Sequence, residues 1–286
     1  PGATNTITGL ADAMMDSTPI VVITGQVGRT ALGSDAFQEC DVVDLAQPIS
    51  KWAYQIRSAE KIAWAVSRAF YIARSGRPGP VVLDFAKNAQ TEMAEYEPRN
   101  INYIRSYEPV PPTDKESVIK AAELINEAKK PLVLVGQGVE LGNAQREVRE
   151  FIEKADAPAG CTLLGLSALP SNHPLNVGML GMHGSYAANV KTQECDLLIA
   201  IGMRFDDRNL KTYACSAKKI HFDIDPSEIN KNVEVDVAVL GDCKETIPAV
   251  TALLKQGNRK AWRESFKAFD KLEDDKVIQP EVYPKE

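Results

Sequence analysis

None of the five cysteines in this 286-residue chain stands in a C-x-x-C pair. Cys40, Cys161, Cys195, Cys215 and Cys243 are scattered and odd in number. This pattern argues against a disulfide frame and reads as reduced thiols, most of them apolar filler. An excess of basic charge is missing too. Lys and Arg total 33 against 39 Asp and Glu, a formal net charge of −6, so a broadly basic nucleic-acid surface is not expected. The longest apolar stretches, such as residues 19–25, are only strand-length. No membrane span and no secretory signal is therefore expected, and the chain reads as cytoplasmic. Histidine is scarce: His173, His183 and His221 show no ligand spacing, so neither a zinc site nor any other metal ligand is predicted. There is no G-x-S-x-G elbow and no P-loop, which removes two common catalytic designs. If the chain belongs to an enzyme, a cofactor carries the hard chemistry. An initiator methionine is also lacking. The opening Pro1-Gly2-Ala3-Thr4-Asn5 reads as the inside of a folded unit and leads us to expect a fragment.

What is present points to alternating α/β structure. Apolar residues make up 44% and charged residues 25%, normal for a globular chain whose length suggests about two domains. Residues 19–25 form a β-branched run closed by Gly25, a buried strand by pattern. Residues 58–73 keep a helical period, with Ile62, Val66, Ala69, Phe70 and Ala73 on one face and Ser58 as cap. Gly76-Arg77-Pro78-Gly79 turns the chain into a second strand at 80–85. Strand, helix, strand implies a parallel sheet. Residues 91–113 lose all periodicity and hold Pro98, Pro109, Pro111 and Pro112, as a linker would. A second series follows, with helices predicted at 114–128 and 142–155. Strands are predicted at 131–135, 158–162, 196–201, 219–224 and 235–240, and another helix after Asp242. This is a doubly wound parallel-sheet domain. Residues 259–286 are charged and helical to about 272, a connector by pattern.

Ligands of such sheets bind beyond the carboxyl ends of the strands. The strand at 131–135 runs into Gly136-Gln137-Gly138, with Gly142 at the next helix start. Bare backbone there suits a diphosphate, though a tight turn explains the glycines equally well. Arg204 and Arg208 follow another strand, placed to meet phosphate or to pair with Asp206 and Asp207. Asp223 and Asp225 end a third, as ribose acceptors or, for Asp225, as a cap. Gly241-Asp242 closes a fourth, and Gly181-Met182-His183-Gly184 forms a further loop before a helix. A dinucleotide-sized ligand is expected along this rim. In the first domain, residues 33–39 read as a glycine-led loop entering a helix, capped by Ser34 or Asp35.

Taken in order, these stretches resemble a known family. Pro1-Gly2-Ala3-Thr4-Asn5, Thr8-Gly9-Leu10-Ala11-Asp12-Ala13, Ile23-Thr24-Gly25-Gln26-Val27 and Asp35-Ala36-Phe37-Gln38-Glu39 come first. Gly76-Arg77-Pro78-Gly79-Pro80, Gly181-Met182-His183-Gly184, Arg204-Phe205-Asp206-Asp207-Arg208 and Asp223-Ile224-Asp225-Pro226 follow. Together they resemble the catalytic subunit of the acetohydroxyacid (acetolactate) synthases, from Pro1 to about Lys255.

The resemblance implies a partial thiamine-diphosphate-type pyrimidine domain at 1–90 and a linker at 91–113. It implies a central FAD-binding domain at 114–258 and a connector at 259–286 towards a pyrophosphate domain. It implies decarboxylative condensation of two 2-ketoacids, pyruvate with pyruvate or 2-ketobutyrate, in branched-chain amino-acid synthesis. Thiamine diphosphate, Mg²⁺ and FAD would be the cofactors, a homodimer or tetramer the assembly, and a regulatory subunit a partner. Phe37 and Gln38 would lie near the reacting centre, and Arg57 would line the substrate approach. Gly136, Gln137, Gly138, Thr162, Leu163, Gly165, Gly181, Met182, His183, Gly202, Arg204, Arg208, Asp223, Ile224 and Asp242 would contact FAD. Two departures stand out: Gln47 replaces a common FAD-contacting arginine, and Gly28 replaces a common proline. The activating glutamate and the Gly-Asp-Gly metal region of the family have no counterpart in these residues, so they alone are not expected to turn over. The competing readings are a glyoxylate carboligase or pyruvate oxidase, and a non-enzymatic nucleotide-binding module.

Overall fold

The computed structural model describes residues 1–205 and 216–276. It divides into two units, Pro1–Pro109 and Val110–Glu286. The first unit holds α1 (Ile7–Met15), β1 (Val21–Gln26), α2 (Val42–Ala46), β2 (Trp52–Ile56), α3 (Ile62–Arg74) and β3 (Val81–Ala86). Its strands pair in parallel in the order β1-β3-β2. The run Val81-Val82-Leu83 sits centrally and is buried on both sides, which is why it shows no alternation. Val81 and Leu83 pack with Ala65, Ala69 and Ile72 of α3. Val82 points the other way, into a cluster with Leu10, Val42 and Ala46.

Several local expectations change. Ser58 makes no side-chain cap; the Ala59 N–H is taken instead by the Glu92 carboxylate at 3.2 Å. Phe70 is 53% exposed, and Ile72 takes the inward place. Residues 91–113 are not a free linker throughout. Ile104 is buried, Ile101 and Tyr107 pack beside it on the α3 side, and the Tyr107 hydroxyl lies 3.0 Å from Ser75 Oγ. Three spaced apolar side chains are enough to lay this tract on the first unit's core.

The second unit is built from α4 (Lys115–Glu127), β4 (Pro131–Val135), α5 (Gln137–Leu141), α6 (Gln145–Ala155), β5 (Ala159–Cys161) and β6 (Asn176–Met179). It continues with α7 (Tyr186–Glu194), β7 (Leu197–Ile201), β8 (Lys218–Asp223), β9 (Val237–Leu240), α8 (Cys243–Leu253) and α9 (Lys260–Lys276). All six strands are parallel, in the order β6-β5-β4-β7-β8-β9. The chain winds outward from β4 in both directions, so the strand order reverses between β4 and β7. Val133, Val135, Ile199, Ile201 and Phe222 face one core, closed by α4, α6 and α8. Leu132, Leu134, Leu198 and Ala200 face the other, closed by α7 and α9. Asp114 caps α4, accepting from the Glu116 and Ser117 N–H groups.

Two helix expectations are corrected here. The predicted helix at 142–155 is α6, which starts at Gln145, and Gly142 ends the short α5 before it rather than starting the next helix. The 259–286 connector is partly core: Trp262 and Phe266 of α9 are buried in the second cluster. Lys191 of α7 is buried against this helix, its Nζ 4.8 Å from the Phe269 ring centre, 5.4 Å from that of Trp262 and 2.7 Å from Glu194. Arg259 donates to the carbonyls of Ile125, Ala128 and Ala155, closing the ends of α4 and α6 together. Cys161, Cys195 and Cys243 are buried, and burial pushes their thiols up to about 11, 12 and 12. They are inert filler. Cys215 lies outside the described residues.

Candidate functional site

In the first unit, the chain beyond the carboxyl end of β1 carries the loop 33–39. No helix forms there. The Glu39 carboxylate folds back and accepts from the N–H groups of Gly33 and, at 3.1 Å, Ala36. The Gly33 N–H chiefly holds its carboxyl below the usual range; burial opposes this, and the N–H groups of Ala36, Ser34 and Asp35 add to the lowering. Ser34 does not cap; its hydroxyl donates to Ala31 O at 2.7 Å. Gly33, Asp35 and Gln38 are all left-handed, at φ 77°, 56° and 64°. Such a backbone is costly for the two non-glycine residues. The tight loop leaves Phe37 89% exposed and Gln38 exposed beside it. Cys40, next after Glu39, has its carbonyl held by Gln26 Nε2 at 2.6 Å. Arg57 follows the end of β2, and its Nε donates to Gln55 Oε1 at 2.7 Å. The same rim of the sheet therefore carries all three residues predicted for chemistry and substrate.

In the second unit, each described residue expected on the rim follows the carboxyl end of a strand. Gly136, Gln137 and Gly138 follow β4, while Thr162, Leu163 and Gly165 follow β5. Gly181, Met182 and His183 follow β6, and Gly202 and Arg204 follow β7. Asp223 ends β8 with Ile224 just beyond it, and Asp242 follows β9. Arg208, with Asp206 and Asp207, lies outside the described residues. The glycines have a reason of their own. A Cβ on Gly136 would stand 2.3 Å from Gly202 O, one on Gly138 2.7 Å from Gly202 Cα, and one on Gly165 2.4 Å from Val135 O. The Gly136 and Gly138 N–H groups donate to Ile201 O and Gly202 O, and that of Gly202 to Phe222 O. Main chain meets main chain where the strand order reverses, so these donors are spent inside the protein.

Around this seam two apolar side chains stand out among the polar rim residues. Leu163 is 68% and Met182 77% exposed. Gly181, at φ 107°, has no atom near its missing Cβ, and Asn189 clamps its N–H and carbonyl at 3.0 and 2.9 Å. Asp223 is buried and accepts from the Asp225 N–H at 2.9 Å. Asp225 is a cap, taking the Ser227 N–H and hydroxyl. Asp242 caps α8 through the Lys244 N–H. Behind the rim, His221 is fully buried and its Nε2 donates to Met203 O at 2.8 Å. Its Nδ1 has no hydrogen-bond partner among the described residues. Sequence reasoning missed Glu39, Asn189 and His221 as supports. Glu39 was signalled only by a carboxylate six residues after a glycine in a turn-rich stretch.

Comparison with known proteins agrees with this two-part architecture. Residues 118–250 match the family described as thiamine pyrophosphate enzyme, central domain, and residues 1–45 match the N-terminal TPP binding domain. The chain belongs to the thiamine pyrophosphate enzymes. Among curated relatives of this family, an acetolactate synthase large subunit of Buchnera aphidicola from Schizaphis graminum is 42% identical over 282 residues. That alignment covers 95% of this chain and 49% of the relative. The acetolactate synthase isozyme 2 large subunit of Escherichia coli is 45% identical over 259 residues, covering 90% and 46%. An acetolactate synthase large subunit of Parasynechococcus marenigrum is 48% identical over 248 residues, covering 85% and 40%. The chain spans about half the length of the curated relatives it matches.

Proposed function

We propose that these residues are part of an acetolactate synthase that condenses two 2-ketoacids with loss of carbon dioxide. The observation that carries the reading is the loop beyond β1, where a braced left-handed turn holds an aromatic ring and an amide out of the fold. Thiamine diphosphate, when bound, supplies the carbanion that the amino acids lack. The chain's own parts then have separate tasks. Phe37 offers an apolar wall to the small acyl chain and keeps water from it. The Gln38 amide donates to a reacting oxygen as charge develops on it. Arg57 draws in the ketoacid carboxylate. Among the described residues no group of three or more His, Cys, Asp or Glu forms a metal-ligand set, so no residue here is assigned to Mg²⁺.

FAD suits the rim of the second unit by shape and polarity. Exposed Leu163 and Met182 fit a flat ring system, and Asp223 fits a ribose hydroxyl. The diphosphate would take its charge partners from Arg204 and Arg208, because the seam glycines have no N–H to give. A homodimer or tetramer, a regulatory subunit and a cytoplasmic setting complete the reading. They rest on the resemblance and on the words "large subunit" in the relatives' names.

The test is made on the full-length protein. Given thiamine diphosphate, Mg²⁺ and FAD, it is expected to form acetolactate from pyruvate. Carboligation of glyoxylate instead, or acetyl phosphate formation, would replace the reading by one of its rivals. Arg204→Ala is expected to weaken flavin retention about 10- to 100-fold, the worth of one charge-assisted contact, with the cofactor-free protein still folded. Full flavin absorbance after gel filtration would remove Arg204 from the site.

A further inference from the structure

The strand β3 carries a carboxylate where its neighbours Val82 and Leu83 are apolar. Asp84 is fully buried and stands in register with Thr24 of β1 and Gln55 of β2. Burying a charge in a sheet is expensive unless its lone pairs are filled. Among the described residues they are filled by neutral donors. Thr24 Oγ1 donates to Oδ1 at 2.8 Å, and the Nε2 atoms of Gln26 and Gln55 both donate to Oδ2 at 3.1 Å.

A carboxylate can only accept, so both glutamines must turn their NH₂ groups toward it. That decides where their other atoms go. The Gln26 Nε2 that faces Asp84 also donates to the Cys40 carbonyl at 2.6 Å, two residues from Gln38. Its Oε1 takes the Val27 N–H at 2.9 Å. The Gln55 Oε1 is sent outward and accepts from Arg57 Nε at 2.7 Å. One buried oxygen thus sets the sense of two amides. One amide ends on the loop bearing Phe37 and Gln38, the other on the guanidinium of Arg57.

We infer that Asp84 is a positioning residue that orients both the 33–40 loop and Arg57 through the amides of Gln26 and Gln55. The inference rests on the function proposed above, in which Gln38 serves turnover and Arg57 serves substrate capture. An amide in place of Asp84 offers donors as well as acceptors. Gln55 is then free to flip and present its NH₂ to a guanidinium that also only donates.

The branches separate kinetically. In the full-length enzyme, Gln26→Met is expected to lower kcat for pyruvate about tenfold with KM within about twofold. Gln55→Met is expected to raise KM about tenfold with kcat within about twofold. Asp84→Asn is expected to do both, and adding Gln55→Met to it raises KM no further, as residues acting in one network do. A second readout needs no activity. In cofactor-free protein, amide hydrogen exchange at residues 33–40 is expected to quicken in Asp84→Asn and Gln26→Met but not in Gln55→Met. A folded Asp84→Asn with wild-type kcat, KM and exchange overturns the inference. So do glutamine variants that lose kcat and KM in equal measure, which also decide the matter if Asp84→Asn fails to fold. If the wild type makes no acetolactate yet the exchange pattern appears, the functional reading falls and the orienting role of Asp84 for the loop stands.

Discussion

Gln38→Ala in the full-length protein is expected to cut acetolactate turnover about 100- to 1,000-fold, the usual loss for one donor aimed at developing charge. Flavin content should stay at the wild-type level, because Gln38 lies in the first unit and the expected flavin residues in the second. The backbone supplies an internal control. Gln38 holds φ at 64°, a conformation that costs glutamine and alanine alike about 1–2 kcal/mol and glycine almost nothing. Gln38→Ala therefore removes the amide with the strain unchanged, and Gln38→Gly removes the amide and relieves the turn. If both variants lose turnover alike, the amide is responsible. If either keeps wild-type turnover, Gln38 leaves the site. Steady-state rates with pyruvate, beside flavin absorbance per chain, decide between these.

Gly136→Ala is the second large effect. Its new Cβ would stand 2.3 Å from Gly202 O and 2.5 Å from Met203 Cβ. Neither the carbonyl nor the adjoining strand end is a flexible tip, so β4 and β7 must part where their ends are hydrogen-bonded. Overpacking of this kind costs about 1–3 kcal/mol or more, several degrees in thermal midpoint for a unit of this size. The rim moves with the seam, so flavin retention is expected to be lost as well. Gly181→Ala is the contrast. It has open space around its Cβ but φ at 107°, so strain is its only penalty, and flavin loss there should be smaller. An unaltered melting curve and flavin content in Gly136→Ala would show that the seam has slack.

Much of the second unit was legible because its strands are buried on both faces and its helices are amphipathic. Residues 131–135 coincide with β4, and Val118, Ala121, Ala122 and Ile125 all turn inward from α4. Helices α1 and α2 and strands β2 and β6 were not anticipated. β6 has four residues, all half-buried, and β2 mixes bulky aromatics with Gln55, so neither carries a clean period of two. The roles expected of Phe37 and Gln38 came from resemblance, whereas the conformation of their loop depends on Glu39 reaching back to Gly33, a side-chain choice that overrides the helical reading. The glycine signal was seen, but its cause lay elsewhere. Gly136, Gly138 and Gly202 answer to one another across strands far apart in sequence, and no local spacing records that. Asp84 stands as a lone charge in an apolar run, but the sequence reading passed over it, because its three donors come together only in the register of three strands.

The guanidinium of Arg259 bears on how this architecture can be moved between proteins. It closes two helices at once, and Trp262 beside it donates its indole N–H to Pro131 O at 2.8 Å. Anyone transplanting the six-stranded body into a new host must carry the following helix with it. A graft that stops at the last strand-covering helix would leave open carbonyls and a bare groove, an invitation to clump.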